Sequence, residues 1–168
     1  MPDSVTQVNL RRWSIVSARP YASIVAAVEA AIGHPDMRQF SAALAVATSH
    51  ADVENTVRGA IGRSELMEFM RFDFGALLAL AGVTGTPKSI RLVIGNPLIA
   101  EQMVRHVPDA ASYAPVTVLI DERPDGVHVS YDEMASLLAP YGSPQALQVA
   151  LDLDAKVKAM LTEAAGLA

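Results

Sequence analysis

The side chains with the widest range of chemistry in this sequence are its four histidines, His34, His50, His106 and His128. None of them stands in the paired spacing at which two histidines on one helix hold a metal ion. The 168 residues include no cysteine, which excludes disulfides, thiol catalysis, iron–sulfur clusters and thiolate zinc sites. We therefore predict neither a metal site nor a cofactor.

General acid–base catalysis is a reaction that the remaining residues could support. It requires a histidine and a carboxylate within hydrogen-bond reach of each other. His106 lies in the last turn of a predicted helix and His128 on a predicted strand. The carboxylates that could complete such a pair are those of Asp73, Asp121 and Asp132. Because these residues are far apart in the chain, only the fold can show whether a pair forms.

A Gly95-Asn96-Pro97 turn joins a predicted strand to a predicted helix. Asn at the N-cap and Pro in the first turn are typical of a helix start, where free N–H groups can hold an anion or a carbonyl. We predict that Gly95 and Asn96 hold the polar end of a small apolar or anionic ligand. Tyr113, Tyr131 and methionine side chains would enclose the rest. A well-capped turn that binds nothing is the alternative.

The overall charge and hydropathy exclude several classes of function. The formal net charge is −5 and only 5% of the residues are aromatic, which argues against a nucleic-acid-binding surface. The apolar runs at 42–47 and 75–83 are much shorter than the ~18–20 residues that span a membrane. The N-terminal ten residues lack the apolar stretch of a secretory signal. We expect a cytoplasmic protein that binds neither membranes nor nucleic acids.

Hydrophobic periodicity predicts one α+β domain over residues 1–168. Its architecture is a two-layer sandwich, with a mixed, mostly antiparallel sheet of about five strands and helices mainly on one face. Residues 34–64 form a helical elaboration, and residues 144–165 form a long C-terminal helix. The strands are predicted at 5–17, 66–74, 89–94, 115–122 and 127–131, and the helices at 20–32, 36–47, 52–61, 75–81, 96–107, 132–138 and 144–165.

Caps and ion pairs are predicted from local spacing. Asp52 and Asp132 are the expected N-caps of the helices that follow them. On the outer side of the C-terminal helix, i,i+4 ion pairs are expected between Asp152 and Lys156 and in the matching pair two residues on, Asp154–Lys158. The sequence Arg123-Pro-Asp-Gly126 predicts a hairpin turn between the last two strands.

The two faces of the predicted strands differ in polarity. One face is apolar throughout and should meet the helices. The other is mixed, although an exposed face of an antiparallel sheet is usually polar, and only 18% of the residues are charged. We therefore expect a second subunit or a ligand to cover the mixed face, and scattered exposed apolar residues are the alternative. The residues placed on that face are Arg91, Val93, Thr117, Leu119, His128, Ser130, Phe69 and Arg71.

Several segments follow one another in a recognisable order: Ser17-Ala-Arg-Pro-Tyr21 at the N-terminus, Val93-Ile-Gly-Asn-Pro97, Ala114-Pro-Val-Thr-Val-Leu-Ile120 and Val127-His-Val-Ser-Tyr131. This order, most clearly over residues 66–138, resembles the family called domain of unknown function 302. The resemblance implies a compact two-layer α+β fold and a homodimer, and it implies no established reaction. The positions that carry over are the Gly95-Asn96-Pro97 turn, the strand entry at Pro115 and the strand end Ser130-Tyr131.

Three functions remain open at this stage. We rank first a homodimeric module that binds a small ligand through Gly95, Asn96, Tyr113 and Tyr131. An acid/base enzyme with a histidine–carboxylate pair comes second. A structural or partner-binding protein without a pocket comes third.

Overall fold

The computed structural model describes residues 5–168, in which five strands and seven α-helices alternate irregularly along the chain. Short 3-10 helices follow α5 and α6. The elements are β1 Arg12–Ser17, α1 Tyr21–Ala31, α2 Met37–Ala45, α3 His50–Arg58, β2 Met67–Asp73, α4 Phe74–Leu80, β3 Ser89–Gly95, α5 Pro97–Val104, β4 Val116–Arg123, β5 Gly126–Asp132, α6 Met134–Leu138 and α7 Pro144–Ala164.

The strands form one antiparallel sheet in the order β1-β5-β4-β3-β2. The apolar residues that alternate along β3, β4 and β5 are buried against α1, α5, α6 and α7, because side chains of one parity share one face of a sheet. This arrangement confirms the α+β sandwich. The predicted turn at Arg123-Pro-Asp-Gly126 closes the β4–β5 hairpin, with Gly126 at a φ of 138°.

The segment between α1 and β2 folds as the two helices α2 and α3. They bury a small apolar cluster of their own, formed by Phe40, Val57, Ala60 and Met67. Gly33 and Gly62 bring this segment against the end of α1, because a Cβ at Gly33 would lie 1.9 Å from the carbonyl oxygen of Ala60. The segment that contains α2 and α3 is therefore held against the sandwich by direct backbone contact.

The predicted assignment of the β2 side chains to the two faces of the sheet is wrong, and the cause is a β-bulge. Glu68 lies opposite Ile94 and Met70 lies opposite Val93, so one extra residue stands between them. A bulge of this kind shifts every later side chain to the other face. Met70 and Phe72 consequently lie on the outer face of the sheet, whereas Arg71 faces α1 and binds Glu29. Phe69 and Arg71 had been placed on that outer face.

Two element starts also differ from the prediction. Strand β1 begins at Arg12 and not at residue 5, because β5 ends at Asp132 and offers no further partner. Helix α3 begins after Ser49, whose Oγ accepts a hydrogen bond from Asp52 N. Asp52 accepts from the backbone of Ser49 in return, so it completes a capping box at the third helical position. The predicted helix at 96–107 ends earlier, at Val104.

The start of α6 depends on a carboxylate from another helix. Asp132, the predicted cap, is bound to Arg12 at 2.6 Å. Glu133 occupies the N-cap position, but its side chain makes no capping hydrogen bond to the helix. Asp154 of α7 accepts hydrogen bonds from Met134 N at 2.8 Å and Ala135 N at 3.0 Å. The first turn of α6 is therefore capped across the interface with α7.

The ion pairs expected along α7 do not form. Asp154 is only 3% exposed and lies on the buried face. Lys158 binds Glu133 at 2.5 Å, and Lys156 binds Glu65. Both lysines therefore connect α7 to other elements, because the helix is packed so closely that its neighbours offer nearer carboxylates than its own next turn.

Replacing Asp154 should destabilise the fold strongly. Asp154→Ala leaves two buried N–H groups and the Tyr131 hydroxyl without their acceptor, and we expect a loss of about 3–5 kcal/mol in the free energy of unfolding. Urea denaturation followed by circular dichroism measures this loss. The control is Asp152→Ala, an exposed position two residues away, which should change stability by less than about 0.5 kcal/mol. Equal losses in both variants would contradict the assignment.

Candidate functional site

A cavity of about 410 Å³ opens beside the start of α5. Its floor includes the fully buried Met103 and the nearly buried Leu153. Four separate parts of the fold contribute the walls: β2, the β3–α5 junction, the entry to β4, and α7. The lining residues are Phe69, Gly95, Asn96, Pro97, Ala100, Glu101, Met103, Val104, Ala114, Pro115, Val116 and Leu153.

Gly95 allows the cavity walls to approach one another. A Cβ at this position would lie 3.1 Å from the Cβ of Pro115 and 3.6 Å from the ring of Phe69. A side chain at position 95 would therefore press on both walls. The absence of a side chain at this glycine therefore shapes the cavity.

The Asn96 side chain borders the cavity, but its polar atoms already have partners. Its Oδ1 accepts a hydrogen bond from Leu98 N at 2.9 Å, which caps α5, and its Nδ2 donates to the carbonyl oxygen of Glu65 at 2.9 Å. The cap is the one predicted. Because Asn96 is 91% buried and bonded at both ends, its contribution to the cavity is to fix the helix start.

One lining residue carries a charge, Glu101 at the rim. Arg105 donates a hydrogen bond to the Glu101 carboxylate, which is the main reason that the pKa of Glu101 lies below its usual value. His50 of α3 lies 3.8 Å from the same carboxylate. The rim is therefore anionic at Glu101, with the cationic Arg105 and the imidazole of His50 outside it, and the interior of the cavity is apolar.

The two tyrosines expected at the ligand lie elsewhere. Tyr131 is 1% exposed in the core, and its hydroxyl donates to Asp154 at 2.6 Å. The hydroxyl of Tyr113 is 2.8 Å from that of Tyr141, although Ala114, the next residue, lines the cavity. The structure thus brings Gly95 and Asn96 together at the cavity and places the two tyrosines outside its wall.

The two histidines proposed for acid–base chemistry have different surroundings. His106 is exposed beyond the end of α5. His128 is half-buried on the outer face of β5, and its Nε2 lies 2.9 Å from Oδ1 of Asp125. That hydrogen bond is the main reason that the pKa of Asp125 is lowered. The Asp125 side chain is 67% exposed at the hairpin turn, and neither residue lines the cavity.

The aspartates proposed as partners are engaged in other contacts. Asp73 caps α4 by accepting from Ala76 N at 2.8 Å. Asp121 lies opposite His128 in the β4–β5 register, but its carboxylate binds Arg123 at 2.6 Å. Among residues 5–168, no group of three or more metal-ligating side chains is arranged to hold a metal ion. No helix in that range is long and apolar enough to cross a bilayer.

Comparison with known families matches residues 42–164 to the model of a domain of unknown function, DUF302. The chain belongs to the DUF302 family. This confirms the resemblance seen in the sequence, and it extends the matched stretch beyond residues 66–138. The long helix α7, predicted as an elaboration, lies inside the matched stretch, whereas β1 and α1 precede it. No curated protein matches this chain.

A solved structure shares the fold. It is the crystal structure of an uncharacterized conserved DUF302 protein from Bacillus stearothermophilus, which superposes with a TM-score of 0.63. The match covers 91% of this chain and 97% of that one, at 10% sequence identity. A match at such low identity shows the shared fold alone.

Sequence reasoning missed most of the cavity wall. Met103 and Val104 are predicted on the inner face of α5 and Leu153 on the apolar stripe of α7, but nothing local places them beside Phe69 and Pro115. The β2 bulge decides the position of Phe69, and no residue type in β2 signals it. The cavity forms where segments spread between residues 69 and 153 meet, which only the tertiary structure reveals.

The burial of Tyr131 predicts an alkaline loss of stability. Burial and the Asp154 carboxylate raise the pKa of Tyr131 well above its ordinary value. Tyr131 therefore makes its full contribution to the free energy of unfolding below about pH 10, where tyrosine in the unfolded chain ionises. That contribution falls as the pH rises further. We expect the wild-type free energy of unfolding to drop about 1 kcal/mol more than that of Tyr131→Phe between pH 10 and 11. Parallel losses in denaturation curves would contradict this.

Proposed function

We propose that this protein binds a small, mainly apolar molecule in the cavity beside α5. The observation that supports the proposal is the cavity itself, about 410 Å³ in volume and walled almost wholly by apolar side chains. Small-molecule sites are typically apolar cavities of ~300–1,000 Å³ with a few polar groups at fixed places. Its size suits a small molecule.

The charges around the cavity favour an apolar ligand over an anionic one. The sequence leaves both open, because a helix start can hold an anion. Asn96 is already bonded at both ends, Pro97 has no N–H to offer, and the charged lining residue is the anionic Glu101. The apolar body of a ligand would contact Met103 and Leu153, and any polar group would point to the rim.

The acid/base alternative has weaker support. Its histidine–carboxylate pair at hydrogen-bond distance, His128–Asp125, lies at an exposed hairpin and lines no part of the cavity beside α5. A cytoplasmic location remains a prediction from the sequence.

A neutral fluorescent probe, N-phenyl-1-naphthylamine, tests binding in the cavity. We expect the wild-type protein to enhance its fluorescence, and Ala100→Phe to raise the dissociation constant about tenfold or more, because a phenyl ring at a lining position occupies the space. Ala42→Phe, on an exposed position of α2, is the matched control and should bind as the wild type does. Wild-type affinity in Ala100→Phe would overturn the proposal.

Methyl NMR of the seven methionines locates the probe independently. The ¹³C-methyl signal of Met103, on the cavity floor, should shift on titration. The signal of Met70, which is 51% exposed on the outer face, should not follow the same curve. A shift confined to Met70 would place the probe on the outer surface and contradict the cavity site.

A further inference from the structure

Helix α4 presents its large side chains to solvent. Phe74, Leu77 and Leu78 recur at the i, i+3, i+4 spacing that places them on one side of a helix. All three are exposed, Leu77 by 58%, and Leu80 beside them is 87% exposed. A helix on a protein surface normally turns such a stripe toward the core, so α4 departs from the usual arrangement.

The opposite side of α4 consists of small residues, of which Gly75 is partly buried and Ala76 and Ala79 are exposed. Gly75, Ala76 and Ala79 line a shallow cavity with Tyr21 and the segment before β3. A Cβ at Gly75 would lie 3.1 Å from the backbone nitrogen of Ser89. The helix therefore approaches the body of the protein closely at Gly75, where a larger side chain would not fit, and its apolar stripe lies on the other side.

The stripe continues onto the outer face of β2. The rings of Phe72 and Phe74 stack with their centroids 6.2 Å apart, and Met70 lies on the same face of the strand as Phe72. We define the α4 patch as Met70, Phe72, Phe74, Leu77, Leu78, Leu80 and Val83, all of them exposed.

The area of the α4 patch is close to what one partner buries in a stable interface. With about 180 Å² for each fully exposed large side chain and about half of it accessible, the patch presents on the order of 650 Å² of apolar surface. That is slightly above the ~300–600 Å² found for the largest patch on a monomer. A standard interface buries ~800 Å² per partner.

The chemistry of the α4 patch selects its partner. Between Asp73 and Lys88 the chain carries no charged residue. Arg91 lies over the ring of Phe72 at the β2 edge of the patch, so a partner surface that is mainly apolar fits the patch. Helices that lie on a membrane carry Lys or Arg on their other face, whereas α4 has Gly75, Ala76 and Ala79 there. In a two-fold dimer, the same surface of each copy contacts its counterpart on the other copy. The α4 patch needs an apolar partner surface, and a second α4 patch supplies one.

We propose that the α4 patch is the interface of a homodimer, in which α4 of one copy packs against α4 of a second copy about a two-fold axis. The stripe of Phe74, Leu77 and Leu78 from each copy fills the grooves of the other, as ridges do between packed helices. This interface is separate from the ligand cavity and does not depend on the function proposed for it.

Light scattering coupled to size-exclusion chromatography tests the interface. At micromolar concentration we expect the wild type at twice the chain mass of 17.8 kDa. Leu77→Glu should run at the single-chain mass, because two carboxylates would be buried against each other and weaken the dimer about a hundredfold. Val46→Glu, at an apolar position of the α2 region that is 76% exposed, is the control and should remain dimeric. A monomeric wild type, or a dimeric Leu77→Glu, would overturn the proposal.

Thermal unfolding curves show whether Leu77→Glu still folds, which separates loss of the dimer from loss of the fold. Because Leu77 is exposed, Leu77→Glu should unfold cooperatively, as Val46→Glu does. A second variant avoids any added charge: the chain has no cysteine, so Leu78→Cys supplies a single thiol. Under mild oxidation it should form a disulfide between copies faster than Val46→Cys does. Equal rates would contradict the two-fold contact at α4.

A lipid surface is the alternative partner of the α4 patch, and the same variants test it. Flotation with neutral phosphatidylcholine vesicles should leave the wild-type protein in the dense fractions. Flotation of the wild type together with failure of Leu77→Glu to float would assign the α4 patch to membranes and overturn the homodimer.

Discussion

The carboxylate of Asp154 lies inside the protein, and three elements are held in place through it. It accepts the hydroxyl of Tyr131 on β5 and two backbone N–H groups at the start of α6, so strand, short helix and long helix share one buried acceptor. A buried carboxylate is tolerated only when donors surround it. Here those donors also fix the position of α7. The residue before Asp154 in this helix, Leu153, lies on the cavity floor.

The cavity therefore follows from how α7 and the sheet are fixed. Asn96 fixes the start of α5 by capping it and by donating to Glu65, and Lys156 of α7 binds the side chain of that same Glu65. The β3–α5 turn and α7 are thus connected through one loop residue. The space between them stays open because Gly95 and Ala100 are small, while Phe69 closes the wall from β2. The rim is polar and the interior is apolar, which is the arrangement that the proposed ligand requires.

The fold was predictable from the sequence to the extent that it rests on local signals. Alternating apolar residues placed β3, β4 and β5, the Asn96-Pro97 start placed α5, and the Pro-Asp-Gly turn placed the hairpin. What failed depends on distant partners. Asp154 looks like a surface ion-pair residue at i,i+4 from Lys158, and only the packing of α6 onto α7 buries it. Tyr131 looks like a pocket residue at a strand end, and the same carboxylate draws it into the core. Gly95 and Asn96 were found because a turn is a local structure. The other cavity residues were not found, because they meet only in three dimensions.

The extra residue in β2 reverses the alternation of its side chains between the two faces of the sheet. Up to Glu68 the strand follows one alternation, and after Phe69 it follows the opposite one. The single inserted position thus sets two features at once: Phe69 closes the cavity, and Met70 and Phe72 turn outward beside α4. Removing one residue there would exchange the two faces of the strand, moving apolar side chains from the exterior to the helix side and Arg71 the other way. The two surfaces are therefore linked by register, although they share no wall, and a change of chain length in β2 cannot alter one of them alone.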